Sequence, residues 1–201
     1  LTSKLIHNQL PEDLLTPAEI TSLFVLLAVA GNDTTRTAIS NGVSLLSKNT
    51  DQRALWQADV EGVTQGAVEE IVRVASPVTF MRRTATGDVS LAGEQFHEGD
   101  KFVMFYGAAN RDPRVFSDPE RFDVRRSPNP HVGFGGPGPH FCLGANLARR
   151  EVAVVFRELF RRLPDLEVTG PAVPLATVGL PLVGGIKRLP VSFTPTARST
   201  D

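Results

Sequence analysis

The sequence has little of several features that would assign it to a class of protein at once. Its 201 residues include one cysteine, and its 21 basic side chains nearly balance 22 acidic ones. A single cysteine excludes an internal disulfide framework and suits a reducing cytoplasm, where we expect the protein. The balanced charge gives no electrostatic basis for binding nucleic acid. The longest apolar run, residues 23–30, is too short to span a bilayer.

The one cysteine, Cys142, lies between a glycine- and proline-rich stretch and an amphipathic pattern. Residues 134–139 are FGGPGP, and apolar residues then recur at helical spacing from Ala148 until Pro164. A thiol at a helix start gains amide donors and the positive end of the helix dipole, which favour the thiolate. The glycines let the backbone approach a large flat group. These features predict a thiolate ligand to a haem iron; the alternative is a small buried core residue beside an ordinary turn.

A second unusual pattern lies near the start of the chain. Thr16, Pro17 and Glu19 form a capping box with proline at the first helical position, and helix-compatible residues continue to about Lys48. Such a helix would be about 48 Å long at 1.5 Å per residue. Residues 30–35 in its middle, AGNDTT, are poor helix formers. This predicts a functional kink or a surface for a flat ligand, or alternatively a polar patch against solvent.

The remaining elements are shorter. Helices are predicted over residues 51–58 and 62–74, and the second places Glu70 and Arg73 on one face, either as a solvated bridge or as a buried pair with a third partner. Predicted strands cover residues 78–85, 89–91, 101–106, 166–169, 182–186 and 191–193. Residues 109–141 have almost no periodicity, which in a compact domain usually means function. Residues 194–201 are predicted to be a flexible tail.

Four separated segments resemble the haem-thiolate monooxygenases of the cytochrome P-450 family, and they occur in the family's order. They are residues 30–35 (AGNDTT, the oxygen-activation motif of the central helix), 70–73 (EIVR, the Glu-x-x-Arg element), 119–123 (PERFD, in the irregular meander) and 138–144 (GPHFCLG, the haem-binding loop). The resemblance covers essentially the whole chain. It implies a mainly α fold with small β-sheets, in which residues 1–201 are the C-terminal haem-binding part of a single cytochrome P-450 domain without its N-terminal helices.

The haem-binding loop departs from the family pattern at one point. Phe134 lies eight residues before Cys142, whereas the family usually has seven, so one residue has been added near 136–137. This longer loop resembles that of a bacterial subgroup that oxidises steroid side chains and methyl-branched lipids.

The resemblance also implies roles for individual residues. Cys142 would bind the iron of haem b, with the amides of residues 143–145 donating to its sulfur. His140 and Arg83 would contact the haem propionates, with Arg82 as the alternative to Arg83. Asp33 and Thr34 would deliver protons to bound dioxygen. The other residues expected around the haem are Ala30, Phe134, Gly136, Gly138 and Gly144.

Substrate, network and partner positions follow from the same resemblance. The expected substrate contacts are Val78, Thr79, Phe80, Val178 and Gly179, and the expected structural network is Glu70, Arg73 and Arg121. A ferredoxin-type electron donor would dock near Arg149, Arg150 and Arg157, unless these form an ordinary solvated helix face.

The implied function is a monooxygenase that inserts one atom of dioxygen into a C–H bond of a hydrophobic substrate, with a steroid or branched lipid suspected. One alternative is a truncated, non-catalytic remnant that folds but binds no haem productively. Another is a haem sensor or carrier, which would have no need of the proton-delivering pair Asp33 and Thr34.

Overall fold

The computed structural model describes residues 15–175 and 181–195. Within these ranges the chain forms helices α1 (Pro17–Lys48), α2 (Thr50–Ala58), α3 (Val60–Ala75), α4 (Tyr106–Ala109) and α5 (Ala145–Arg162). The strands are β1 (Phe80–Thr84), β2 (Val89–Leu91), β3 (Glu94–Phe96), β4 (Lys101–Phe105), β5 (Glu167–Val168), β6 (Val173–Pro174), β7 (Ile186–Arg188) and β8 (Val191–Ser192). The predicted fold class, mainly α with small β-sheets, is confirmed. Among the described residues, no helix combines the length and the apolar character that crossing a membrane requires.

Helix α1 begins and ends where the sequence predicts. The Thr16 hydroxyl accepts from the Glu19 amide at 3.3 Å, and the Glu19 carboxylate accepts from the Thr16 amide at 2.8 Å. The helix continues without a break through residues 30–35. Within this polar centre the Thr34 hydroxyl donates to the Ala30 carbonyl one turn earlier, at 2.7 Å, so the hydroxyl hydrogen is satisfied within the helix.

The core forms where α1, α3 and α5 pack together. Trp56 of α2 is fully buried, and its ring lies 5.0 Å from Phe156 and 5.1 Å from Phe160 of α5. Its indole N–H donates to the Thr64 hydroxyl, which satisfies the one polar atom of the side chain. Where α1 meets α5, a Cβ added to Gly42 would lie only 2.6 Å from the Phe156 ring. The glycine therefore allows the two helices to approach closely.

Four two-stranded antiparallel sheets lie at the edges of this core: β1–β4, β2–β3, β5–β8 and β6–β7. The prediction for residues 89–91 is exact. Strand β3 was not predicted, although Ala92 and Gly93, both with positive φ, form the turn that pairs it with β2. The prediction of a strand over residues 182–186 is wrong, because only an isolated bridge from Val183 to Val78 forms there and β7 begins at Ile186.

The chain between α4 and α5 is irregular, as predicted. Residues 110–144 contain no helix or strand, and side chains from α3 bind many of the backbone groups of this segment.

At the C-terminal end of the described chain, the Thr194 amide donates to the Asp165 carboxylate at 2.9 Å, so the first residue of the predicted flexible tail is fixed. Residues 196–201 lie outside the described part of the chain.

Candidate functional site

The loop before α5 folds back on itself and places Cys142 just before the helix. The Cys142 amide donates to the Phe134 carbonyl at 2.8 Å, which closes the loop across its extra residue. Gly135 and Gly138 have φ of 90° and 131°, conformations that side chains with a Cβ rarely adopt. Cys142 is a free, exposed thiol. The alternative of a buried core cysteine is therefore wrong.

The surroundings of the sulfur are those of a helix start. A Cβ added to Gly144 would lie 4.0 Å from Cys142 Sγ. The Ala145 amide donates to the Cys142 carbonyl at 3.2 Å, so the predicted bond from this amide to the sulfur is not formed. Neither the Leu143 nor the Gly144 amide has a backbone acceptor within residues 15–175 and 181–195. These two amides remain available to stabilise negative charge at the end of the helix.

The space beside Cys142 fits a large flat group with one metal ion. Phe141 and Leu143 are 46% and 85% exposed, and His140 is exposed next to them. A Cβ added to Gly136 or Gly138 would meet no atom within 4 Å. One soft thiolate donor, two exposed apolar side chains and an open glycine loop are what a haem with a cysteine ligand requires.

On α1, the polar centre is half open to solvent. Ala30 and Gly31 are exposed, and a Cβ on Gly31 would meet nothing within 4 Å. Asp33 forms an ion pair with Arg36 at 2.7 Å, with side chains 46% and 67% exposed. Thr34 is half-buried, whereas the next residue, Thr35, is buried. Of the two threonines, Thr34 is therefore the one that an added ligand or water could reach.

Glu70 and Arg73 form a fully buried ion pair, with the Arg73 Nε and Nη2 atoms each 2.8 Å from a carboxylate oxygen. Arg73 also donates to the carbonyls of Asn110, Pro119 and Arg121 at 2.8–3.0 Å. The alternative of a solvated bridge is wrong. The pair fixes the irregular segment onto α3 because each remaining guanidinium hydrogen finds a backbone acceptor there.

The expected role of the Arg121 side chain is corrected. It is 61% exposed and lies 4.0 Å from Asp123, and only its backbone carbonyl joins the network. The second guanidinium on Glu70 belongs to Arg126, whose Nε lies 3.2 Å from both carboxylate oxygens. The Asn129 side chain adds a further donor at 3.0 Å. Sequence reasoning missed both residues, although charged and amide side chains in an irregular segment are a signal that partners are needed.

The neighbouring carboxylate, Glu69, faces the loop that holds Cys142. It accepts from Arg149 Nε at 2.5 Å and Nη2 at 3.0 Å, and His131 Nε2 lies 2.8 Å away. The Gly133 amide donates to His131 Nδ1, so Nε2 carries the proton that reaches Glu69. Burial opposes ionisation of Glu69, but the hydrogen bonds from His131 and Arg149 and the positive charge of Arg149 outweigh it and lower its pKa to about 2. The sequence did not predict that Glu69 binds both Arg149 and His131.

The residues expected at the propionates and the substrate are spread over β1 and its surroundings. Arg82 and Arg83 are both exposed, and among the described residues Arg83 donates only to the Arg82 carbonyl. Thr79 is fixed to the segment after residue 180, because its amide donates to the Leu182 carbonyl and its hydroxyl to that of Pro181. Phe80 faces Phe105, with ring centres 6.4 Å apart. Val178 and Gly179 lie outside the described residues.

The three arginines expected to receive an electron donor differ in availability. Arg149 is held by Glu69, and Arg157 lies 3.2 Å from Glu61. Arg150 is exposed and has no ion-pair partner in the part of the chain that the structure describes.

Comparison with known proteins identifies the family. A family model for cytochrome P-450 matches residues 1–168. A methyl-branched lipid omega-hydroxylase of Mycobacterium tuberculosis is 50% identical over 194 residues, which cover 96% of this chain and 45% of that protein. A steroid C26-monooxygenase of Mycolicibacterium smegmatis is 40% identical over 200 residues, covering 100% of this chain and 45% of that protein.

Solved structures agree with the sequence comparison. A Mycobacterium marinum cytochrome P-450 in complex with pseudoionone has 46% identity and a TM-score of 0.89, over 96% of this chain and 46% of that one. A Bacillus megaterium relative in complex with testosterone has 36% identity and a TM-score of 0.86, over 94% of this chain and 52% of that one. The chain thus spans about half the length of the relatives it matches. Members of this family use haem whose iron is bound by a cysteine thiolate. The predicted resemblance, including the bacterial subgroup, is confirmed: the chain belongs to the cytochrome P-450 family.

Proposed function

We propose that residues 1–201 are the C-terminal haem-binding part of a monooxygenase that inserts one atom of dioxygen into a C–H bond of a steroid or methyl-branched lipid. The observation that carries the proposal is the exposed Cys142, fixed at the start of α5 by the bond from its amide to the Phe134 carbonyl. The names of the relatives support the substrate class.

Cys142 would hold the iron of haem b, and the Leu143 and Gly144 amides would stabilise the negative charge on its sulfur. When bound, the haem would supply an iron centre for dioxygen activation, with electrons from the external donor and with electron density from the thiolate favouring cleavage of the O–O bond. His140 and Arg83 are exposed and would bind the two propionates. The open sides of Gly136 and Gly138 would leave room for the porphyrin edge, and Phe134 would pack on the cysteine side.

Thr34 and Asp33 would move protons on the opposite side. Because the Thr34 hydroxyl donates its hydrogen to the Ala30 carbonyl, its oxygen remains free to accept a hydrogen bond from a water or from protonated oxygen. Asp33 is half exposed, so solvent reaches its carboxylate, and it forms an ion pair with Arg36; it would relay protons from solvent towards Thr34. Exposed Ala30 and Gly31 would let the ligand lie against α1.

A hydrophobic substrate would meet Val78, Thr79 and Phe80, with Val178 and Gly179 as further contacts in the adjoining segment. Electrons would come from an acidic, ferredoxin-type donor. Arg150 is the best placed of the three arginines to bind this donor, because Arg149 and Arg157 are each already paired with a carboxylate.

The second candidate is a chain that folds without binding haem productively. The exposed apolar side chains on the first half of α1 favour it: Phe24, Val25, Leu26 and Val29 are between 53% and 62% exposed. An apolar surface of this kind normally has a cover, and without one the side of the site formed by α1 would be incomplete.

Absorption spectroscopy separates the two candidates. The 201-residue chain is produced with haem supplied, reduced and exposed to carbon monoxide, beside a Cys142→Ser variant. A strongly red-shifted Soret band in the parent chain, lost in the variant, is the expected result. A parent chain without haem, or with the same band as Cys142→Ser, would reject thiolate ligation by this chain and leave the activity to a longer protein.

A further inference from the structure

Glu69 links three separate parts of the chain at the cysteine loop. It lies on α3, accepts from Arg149 on α5, and meets His131 at the beginning of the loop. The Arg149 guanidinium in turn lies over the Phe134 ring, 4.4 Å from its centre. Phe134 is the residue whose carbonyl accepts from the Cys142 amide. A continuous series of contacts therefore runs from Glu69 to the backbone of the cysteine.

We propose that Glu69 is a positioning residue: it clamps Arg149 and His131 onto the cysteine loop, and it offsets the positive charge that Arg149 brings to that loop. The charge part of this proposal rests on the proposed haem ligation, whereas the clamp does not.

The clamp follows from the geometry of the guanidinium. Two of its nitrogens bind the two oxygens of Glu69, which fixes the plane of the group as well as its position. One face of that plane then covers Phe134, in a contact of the kind that cations make with aromatic rings. Without the carboxylate, the long Arg149 side chain would again sample several rotamers. Its guanidinium would then no longer stay over the Phe134 ring.

The charge balance follows from where the groups lie. Arg149 lies over the ring of Phe134, the residue that binds the Cys142 amide, so its guanidinium lies against the cysteine loop. The pKa of Arg149 is raised mainly by its hydrogen bond to Glu69, with a smaller contribution from negative charge at Cys142. Glu69 is ionised at neutral pH, and its negative charge, in direct contact with the Arg149 guanidinium, opposes the positive charge of that group at the loop. Without Glu69, a full positive charge would act on the thiolate and on any metal ion it binds.

Hydrogen exchange on the haem-free chain tests the clamp. In Glu69→Gln, the amides of the cysteine loop should exchange several-fold faster than in the parent chain, while those in the middle of α3 keep their rates. Glu61→Gln is the matched control, because Glu61 also joins α3 to α5 through Arg157 but lies away from the loop and is exposed. Equal loop exchange in the parent, Glu69→Gln and Glu61→Gln would overturn the clamp.

The midpoint potential of the haem-loaded chain tests the charge balance. Glu69→Gln should raise the potential, because the uncompensated Arg149 charge favours the reduced iron. Arg149→Gln should lower it, and the double variant should return close to the parent value. A purely structural role predicts that both single variants shift the potential in the same direction, and that result would overturn the charge balance. A parent chain that binds no haem would instead reject the proposed ligation, and hydrogen exchange would still decide the clamp.

Discussion

Two adjacent carboxylates on α3 face two different parts of the molecule. Glu70 is fully buried and accepts from Arg73, Arg126, Asn129 and the Asp123 amide, all in or bound to the irregular segment. Glu69 is 21% exposed and accepts from groups around the cysteine loop. Consecutive helix residues point about 100° apart, so one turn of helix serves both. The fully buried cluster around Glu70 fixes the irregular segment, and the partly exposed cluster around Glu69 lies at the cysteine loop.

The largest loss of stability is expected at the fully buried cluster around Glu70. Glu70→Ala leaves Arg73 buried without a carboxylate, and breaking a buried pair in this way costs about 3–5 kcal/mol. The free energy of unfolding, from urea denaturation followed by Trp56 fluorescence, should fall by that amount, or the variant should not fold. A loss below about 1 kcal/mol would remove the distinction between the two clusters.

A smaller effect separates two arginines of the irregular segment. The Arg126 side chain is 10% exposed and donates to Glu70 and to the Ser117 carbonyl, so Arg126→Gln should cost about 2–3 kcal/mol. Arg121→Gln is the matched control and should change stability by no more than about 0.5 kcal/mol, because that side chain is mainly in solvent. Urea denaturation measures the loss of stability in both variants. Equal losses would show that the Arg121 side chain belongs to the network with Glu70 and Arg73, as the sequence predicted.

The smallest change in stability is expected when the partly exposed cluster around Glu69 is acidified. The pKa of Glu69 is lowered from 4.5 to about 2 in the folded chain, so its ionised form contributes stability above pH 4.5 that is lost as the pH falls towards 2. Glu69→Gln should therefore lose less stability than the parent chain across this range. Parallel urea denaturation series at several pH values measure the difference. An identical pH dependence of the two proteins would show that Glu69 is not ionised more readily when folded.

The sequence predicts contacts between residues that are close in the chain and misses contacts between residues that are far apart in it. The capping box of Thr16 and the helical spacing up to Lys48 are properties of neighbouring residues, and α1 has the predicted bounds. The Glu-x-x-Arg spacing likewise places Glu70 beside Arg73. In contrast, Arg126 and Asn129 reach Glu70 across more than fifty residues of mostly irregular chain, where no periodicity indicates which way a side chain points.

The same limit explains the errors at the candidate site. The family motif names Arg121, but the motif does not say whether its side chain or its carbonyl takes part, and the carbonyl does. His131 has no metal-ligand spacing, so its bond to Glu69 could not be expected from the sequence. The glycines before Cys142 predicted a backbone that can approach a flat group, but they did not predict that the thiol itself is exposed.

The crossing at Gly42 has a mechanical consequence for the site. Thr34 lies eight residues before this crossing on α1, about 12 Å along the axis, and α5 begins at Ala145, about 17 Å before Phe156. Because helices are stiff, the separation of α1 and α5 at Gly42 helps to set the distance between Thr34 and the cysteine loop. A methyl group at residue 42 would meet the Phe156 ring at 2.6 Å, so either that ring or the spacing of the two helices would have to change, although Gly42 itself lies eight residues from Thr34.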